Sequence, residues 1–70
     1  MRVYSNLKAI LDERGIKIRE FARMTDLPFE TLRRLYNDET KQYQRDTIGK
    51  ICEVLEVEVC DVLKLKKDEE

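Results

Sequence analysis

Apolar residues recur along this 70-residue chain at helical spacing, and charged residues fill most of the positions between them. Leu7, Ile10 and Leu11 form a first stripe, with Ser5 or Asn6 available as its N-cap. Gly15 followed by Ile16 reads as a stop, glycine taking the left-handed conformation and the hydrophobic residue following it. This predicts a helix over about 6–14. Ile18, Phe21 and Ala22 predict a second, shorter helix ending near Thr25. Thr25-Asp26-Leu27-Pro28 is a turn, because proline is at home where a helix begins and its missing N–H has no intrahelical partner. A third helix, Pro28 to Tyr36, turns Leu32 and Leu35 inward and stops at Asn37-Asp38. After the polar loop Glu39 to Arg45, Asp46 or Thr47 caps a fourth helix whose core face is Ile48, Ile51, Cys52 and Leu55. Val59, Val62 and Leu63 predict a short fifth helix. Val3 and Tyr4 either cover one end of the core or form a short strand. The expectation is an all-α domain of five helices over 1–65, followed by a charged, frayed tail over 66–70.

Composition narrows the functions open to such a domain. A chain this short buries only about 60% of the surface it exposes when unfolded, which leaves little room for a catalytic cleft with its own supporting shell. Histidine is absent, so no nucleophile-and-base set assembles, and there is no glycine-rich phosphate loop. The reading is a non-enzyme. Cys52 and Cys60 lack the spacing and partners of a zinc site and are expected to be reduced thiols, Cys52 in the core. No cofactor or metal is expected. With no apolar run near 18 residues and no basic-then-apolar leader, a soluble cytoplasmic protein away from membranes is the default.

The net charge of −1 hides a gradient. Residues 14–45 carry eight Lys/Arg against five Asp/Glu, whereas residues 46–70 carry four against eight. An uneven distribution of this kind suits a docking face oriented by charge, and equally suits charged helices that merely vary along a chain.

The segment Ile18 to Asn37 has the form of a helix-turn-helix, with the small Ala22 allowing two helices to cross closely. In that motif the second helix lies in the major groove and the first crosses the backbone. With Leu32 and Leu35 buried, Glu30, Arg33, Arg34 and Asn37 face outward, and Phe29 stands at the exposed start. Arg34 is the strongest candidate to read a base, since its planar fork matches guanine O6 and N7, and Arg33 follows it. Glu30 either accepts from cytosine N4 or simply favours the helix dipole. Phe29 either touches a thymine methyl, packs against Tyr36 or Leu32, or serves a protein partner.

The run IREFARMTDLPFETLRRLYNDETK, followed by DTIGKICEVLEVEVCDVLKL, resembles a lambda-repressor-like, Cro-type (XRE family) helix-turn-helix domain from Asn6 to Leu65. Glu20-Phe21-Ala22 matches the family's Glu-Leu-Ala-like element and Thr31-Leu32 its Thr-Ile/Leu pair. Asn37 matches the helix-ending Asn, and Ile48 to Val57 the Leu-x-x-Ile-(Ala/Cys)-x-x-Leu-x-Val run. The resemblance implies the five-helix fold and a recognition helix near 28–36. It implies base contacts from Phe29, Glu30, Arg33 and Arg34. Backbone contacts fall to Lys17, Arg19, Thr31, Asn37, Lys41, Gln42, Tyr43 and Gln44. The sequence departs from the pattern where aspartate replaces the usual glycines at Asp26 and Asp38, Pro28 replaces the serine cap, and Ile18 replaces a polar residue.

The function expected is a sequence-specific double-stranded DNA-binding transcriptional regulator, a small repressor of phage or mobile-element type. It would act as a homodimer through the C-terminal helices, including Val57, Val59 and Cys60. The alternative is a protein-interaction module, an antirepressor or partner-binding regulator, that keeps the fold without the DNA. Phe29 and the acids Asp26 and Asp38 would then mark the partner's face.

Overall fold

Each expected stripe folds into a short helix, and no single one buries enough surface to stand alone; below about 12–15 residues an isolated helix is marginal in water. A computed structural model describes residues 1–67 of the chain. The elements run β1 (Arg2–Ser5), α1 (Leu7–Arg14), α2 (Ile18–Thr25), α3 (Phe29–Tyr36), α4 (Arg45–Leu55), α5 (Val59–Val62) and β2 (Leu63–Lys66). Every helix contributes to one core: Leu7 and Leu11, Phe21, Leu32 and Leu35, Ile48, Ile51 and Leu55, and Val62. Phe21, among the largest of these side chains, is fully buried. Burial of a side chain of this size contributes about 1.5–3 kcal/mol.

Two expectations need correction. The fold is not purely helical: β1 and β2 pair antiparallel, with Arg2 opposite Lys66 and Ser5 opposite Leu63. Four residues at each end gain ladder hydrogen bonds that neither segment could make by itself. Leu63 consequently opens a strand instead of closing the fifth helix, and Lys66 is paired in the ribbon; of the rest of the expected frayed tail, Lys67 is exposed and 68–70 lie outside the described residues. Val59, expected inside, is 55% exposed, because a four-residue helix has only one buried position, taken by Val62.

The helix ends explain why short helices stop where they do. Gly15 is left-handed (φ 69°), with its N–H donating to Asp12 O and the N–H of Ile16 to Leu11 O, the expected stop. Asp26, Asp38 and Glu56 adopt the same conformation without being glycine, at φ 57°, 59° and 57°. At Asp38 the N–H donates to Leu35 O and the next N–H to Arg34 O. Asp38 also recruits the first strand. Its Oδ1 accepts from the Ser5 N–H at 2.9 Å and its Oδ2 from Arg2 Nη2 at 3.1 Å. Neither Ser5 nor Asn6 caps α1 as simply as expected. Ser5 Oγ accepts weakly from Leu7 N at 3.3 Å, while Asn6 Nδ2 donates to the Asp61 carbonyl at 3.2 Å. The fourth helix begins one residue before the expected caps: Gln44 is extended (ψ 132°) and its carbonyl accepts from Ile48 N. Asp46 therefore lies inside the first turn, where its charge favours the helix dipole.

Candidate nucleic-acid interface

Helices α2 and α3 pack through Ala22, Phe21 and Leu32, and the turn between them carries Asp26 in the left-handed conformation and Pro28 just ahead of α3. Pro28 (φ −59°, ψ 134°) is extended, so it precedes the helix it was expected to open, and its carbonyl accepts from Leu32 N. With Leu32 and Leu35 buried, Glu30, Thr31 and Arg34 are exposed on the opposite side of α3.

The four residues expected to read bases, Phe29, Glu30, Arg33 and Arg34, are not equivalent. Arg33 Nε donates to Glu30 Oε1 one turn earlier, and its Nη1 lies 3.9 Å from Glu39 Oε1. The hydrogen bond from Arg33 holds the Glu30 carboxyl below the usual carboxylate range, and the same bond raises the Arg33 guanidinium. Arg34 is in none of the ion pairs among the described residues. It lines a groove of about 280 Å³ between α3 and the following loop, together with Thr31, Gln42, Tyr43 and Gln44. It also borders a shallower depression shared with Arg33, Glu39 and Lys41. Phe29 is half-buried, not exposed: the Arg19 guanidinium sits 4.7 Å from its ring centroid, a cation–π contact that joins the start of α2 to the start of α3.

The expected backbone-contacting residues divide into two sets. Lys17 precedes α2 and, like Arg19 within it, is exposed. Thr31, Gln42, Tyr43 and Gln44 meet at the groove, with exposed Lys41 beside it and Asn37 closing α3. Tyr43 is anchored by its ring against the core, and burial pushes its hydroxyl up, as does the charge of Asp38, so the phenol stays a hydrogen-bond donor. Tyr36 faces elsewhere, its hydroxyl donating to Asp12 Oδ1 at 3.2 Å.

Sequence reasoning missed two contributors. Thr40 and Thr47 line the same groove, hydroxyls in a position that no periodicity distinguishes. The starts of α2, α3 and α4 carry no side-chain cap hydrogen bond. Each of these first turns carries an acid, Glu20, Glu30 and Asp46, whose charge favours the positive end of the dipole. The replacement of the family's serine cap by Pro28 was the one visible sign.

Asp38, suspected of redirecting this face, is turned toward β1 by its bonds to Ser5 and Arg2. Asp26 is exposed at the turn. Among the described residues no group of three or more His, Cys, Asp or Glu gathers as a metal site, and no helix is long and apolar enough to cross a membrane. Cys52 is half-buried and Cys60 exposed, both free thiols.

No curated protein sequence matches the chain. Among solved structures, a Bacteroides fragilis protein described as a "putative DNA-binding protein" superposes with a TM-score of 0.76 at 21% identity. The alignment covers 90% of this chain and 100% of that one; at such identity the likeness is one of fold. A family model for the Cro/C1-type HTH DNA-binding domain matches residues 6–68, nearly the whole chain. The packing of α2 on α3 agrees with this match, and the chain belongs to the Cro/C1-type helix-turn-helix DNA-binding domains.

Proposed function

We infer that this protein is a sequence-specific regulator of transcription, a small repressor of phage or mobile-element type, that places α3 in the major groove of duplex DNA. The observation that carries this reading is Arg34: exposed, in none of the ion pairs among the described residues, and flanked by Thr31, Gln42 and Gln44 along one groove. Arg34 reads a guanine edge through its fork. Phe29, steadied by Arg19, presents a ring edge to a thymine methyl, and Glu30 with Arg33 acts as a paired unit beside it. Lys17, Asn37, Lys41 and the amide side chains of Gln42 and Gln44 hold phosphates, which sets the register. Two copies on a two-fold site, about one helical turn apart, supply the remaining specificity. Val57, Val59 and Cys60 near α5 are the surface proposed for that pairing; a clean monomer in sedimentation at high micromolar concentration would remove it.

The test is fluorescence anisotropy with the duplex upstream of the protein's own gene, for the unaltered chain and Arg34→Ala. Loss of one bidentate base contact costs about 1–3 kcal/mol, a fall of roughly 5- to 150-fold in affinity, with thermal stability unchanged. Saturable binding that ignores the substitution would remove Arg34 from the interface. No saturable binding at low salt would sink the reading and bring forward the protein-interaction module.

A further inference from the structure

The loop between α3 and α4 has little to hold it except its two ends. Residues 40–43 belong to no helix or strand, and among the described residues none of them donates a backbone hydrogen bond to another backbone group. At the far end Tyr43 packs its ring against the core. At the near end stands Asp38, left-handed at φ 59°, whose carboxylate reaches across to β1. It accepts from the Ser5 N–H at 2.9 Å and from Arg2 Nη2 at 3.1 Å, bonds that join positions 33 and 36 residues apart. The charges of Asp38 and Arg2 both act on the Tyr43 hydroxyl, so the two anchors lie near each other.

Four residues, Glu39 to Gln42, span from one anchor to the other. Thr40 and Gln42 line the groove that holds Arg34. With Lys41 they also border the depression that Arg34 shares with Arg33 and Glu39. One wall of the candidate interface is therefore a short segment whose place is set by the first strand on one side and by the core on the other. An ion pair as exposed as Arg2–Asp38 contributes little to the stability of the whole domain. Its effect falls on the segment it ties down.

We propose that Arg2 and Asp38 are positioning residues for DNA binding: the first strand holds the loop after α3 where Lys41, Gln42 and Gln44 reach the phosphates, and Arg2 itself does not touch the duplex. The inference rests on the DNA-binding reading and adds to it a part for the N-terminal strand. Affinity falls in proportion to the fraction of molecules whose loop holds the binding arrangement. Phosphate contacts carry no sequence information, so a loosened loop weakens binding to every duplex alike.

The experiment is a double-mutant cycle on the full chain, with Arg2→Ala, Asp38→Asn and the two combined. Asparagine keeps an oxygen for the Ser5 N–H and tolerates the left-handed backbone, so the ion pair alone is lost. Anisotropy gives the affinity for the upstream duplex and for one of scrambled sequence, at a temperature where circular dichroism shows every variant folded. Each single variant is expected to bind up to about fivefold more weakly, by the same factor on both duplexes, and the combined variant no more weakly than either. In heteronuclear NOE measurements the amides of 39–42 should lose order in all three variants, while those of α1 and α4 do not change. If Arg2→Ala weakens binding and Asp38→Asn strengthens it, Arg2 meets phosphate directly and the positioning role is overturned. Unchanged affinity in both single variants also overturns it, and leaves α3's role intact. If the unaltered chain binds neither duplex, the DNA reading falls and the positioning role falls with it.

Discussion

Around α5 the helix ends are tied down. Asn6 donates its backbone N–H to Val62 O and its side-chain amide to Asp61 O. Arg14 Nη1 donates to Leu55 O at the end of α4, and Asp61 Oδ2 accepts from the Glu58 N–H, as in the return arm of a capping box. In the second flank, α2, α3 and α4 begin at Lys17, Pro28 and Gln44 with no side chain accepting from their first turns. A cap contributes about 1 kcal/mol, so three uncapped helices cost a 70-residue domain a noticeable part of its stability. The contrast separates a flank whose helix ends are tied by tertiary hydrogen bonds from one whose helix starts carry only an acid in the first turn, Glu20, Glu30 and Asp46.

The core common to both flanks is the harshest test of that contrast. Phe21→Ala removes a fully buried ring from α2 and is expected to cost about 3–5 kcal/mol. Against a total of about 5–15 kcal/mol for natural domains, that leaves much of the population unfolded, which urea titration followed by far-UV circular dichroism would show. A cost confined to α2, with the ribbon and α5 still cooperatively folded, would mean that the flanks are independent.

Asp38 joins the two flanks, and it separates conformational strain from contact. Asp38→Gly relieves the left-handed backbone, a gain of about 1 kcal/mol, but loses the bonds to Ser5 and Arg2, of which charge-assisted examples contribute about 1.5–3 kcal/mol. The net expectation is a loss near 1 kcal/mol by thermal or chemical denaturation. Asp26→Gly and Glu56→Gly have the same φ, and no side-chain hydrogen bond or ion pair is formed by either residue among the described ones. Both should gain up to about 1 kcal/mol. If all three glycine variants move together, Asp38 is not a clamp.

The smallest effect expected is acidic and local. Glu30 is held ionised by Arg33, so its folded pKa is depressed and the pair's contribution is present above the unfolded glutamate value. It is lost as pH falls through the lower, folded value. Titration followed by NMR of the Glu30 carboxyl should place its midpoint below the ordinary glutamate range and restore it in Arg33→Ala. An unshifted midpoint would mean that Arg33 is as free as Arg34 to meet DNA.

How much of this was legible beforehand follows from the range of each interaction. The helix stripes, the stop at Gly15, the inward Leu32 and Leu35 and the outward Arg34 depend on neighbours within one or two turns, and the sequence by itself determined them. The left-handed role of Asp26 and Asp38 was visible because the resemblance marked both as glycine positions. Glu56 gave no such sign, although its geometry is the same. Tertiary structure alone decided which charges are engaged. Arg33 and Arg34 are adjacent and chemically identical, yet only one meets Glu30 and Glu39. Phe29 lies under Arg19 because α2 and α3 pack against each other. The ribbon was equally hidden: four residues at each end of the chain become strands only when α1 and α5 bring them together. Their hydrogen bonds join positions some sixty residues apart, a separation that no local pattern encodes.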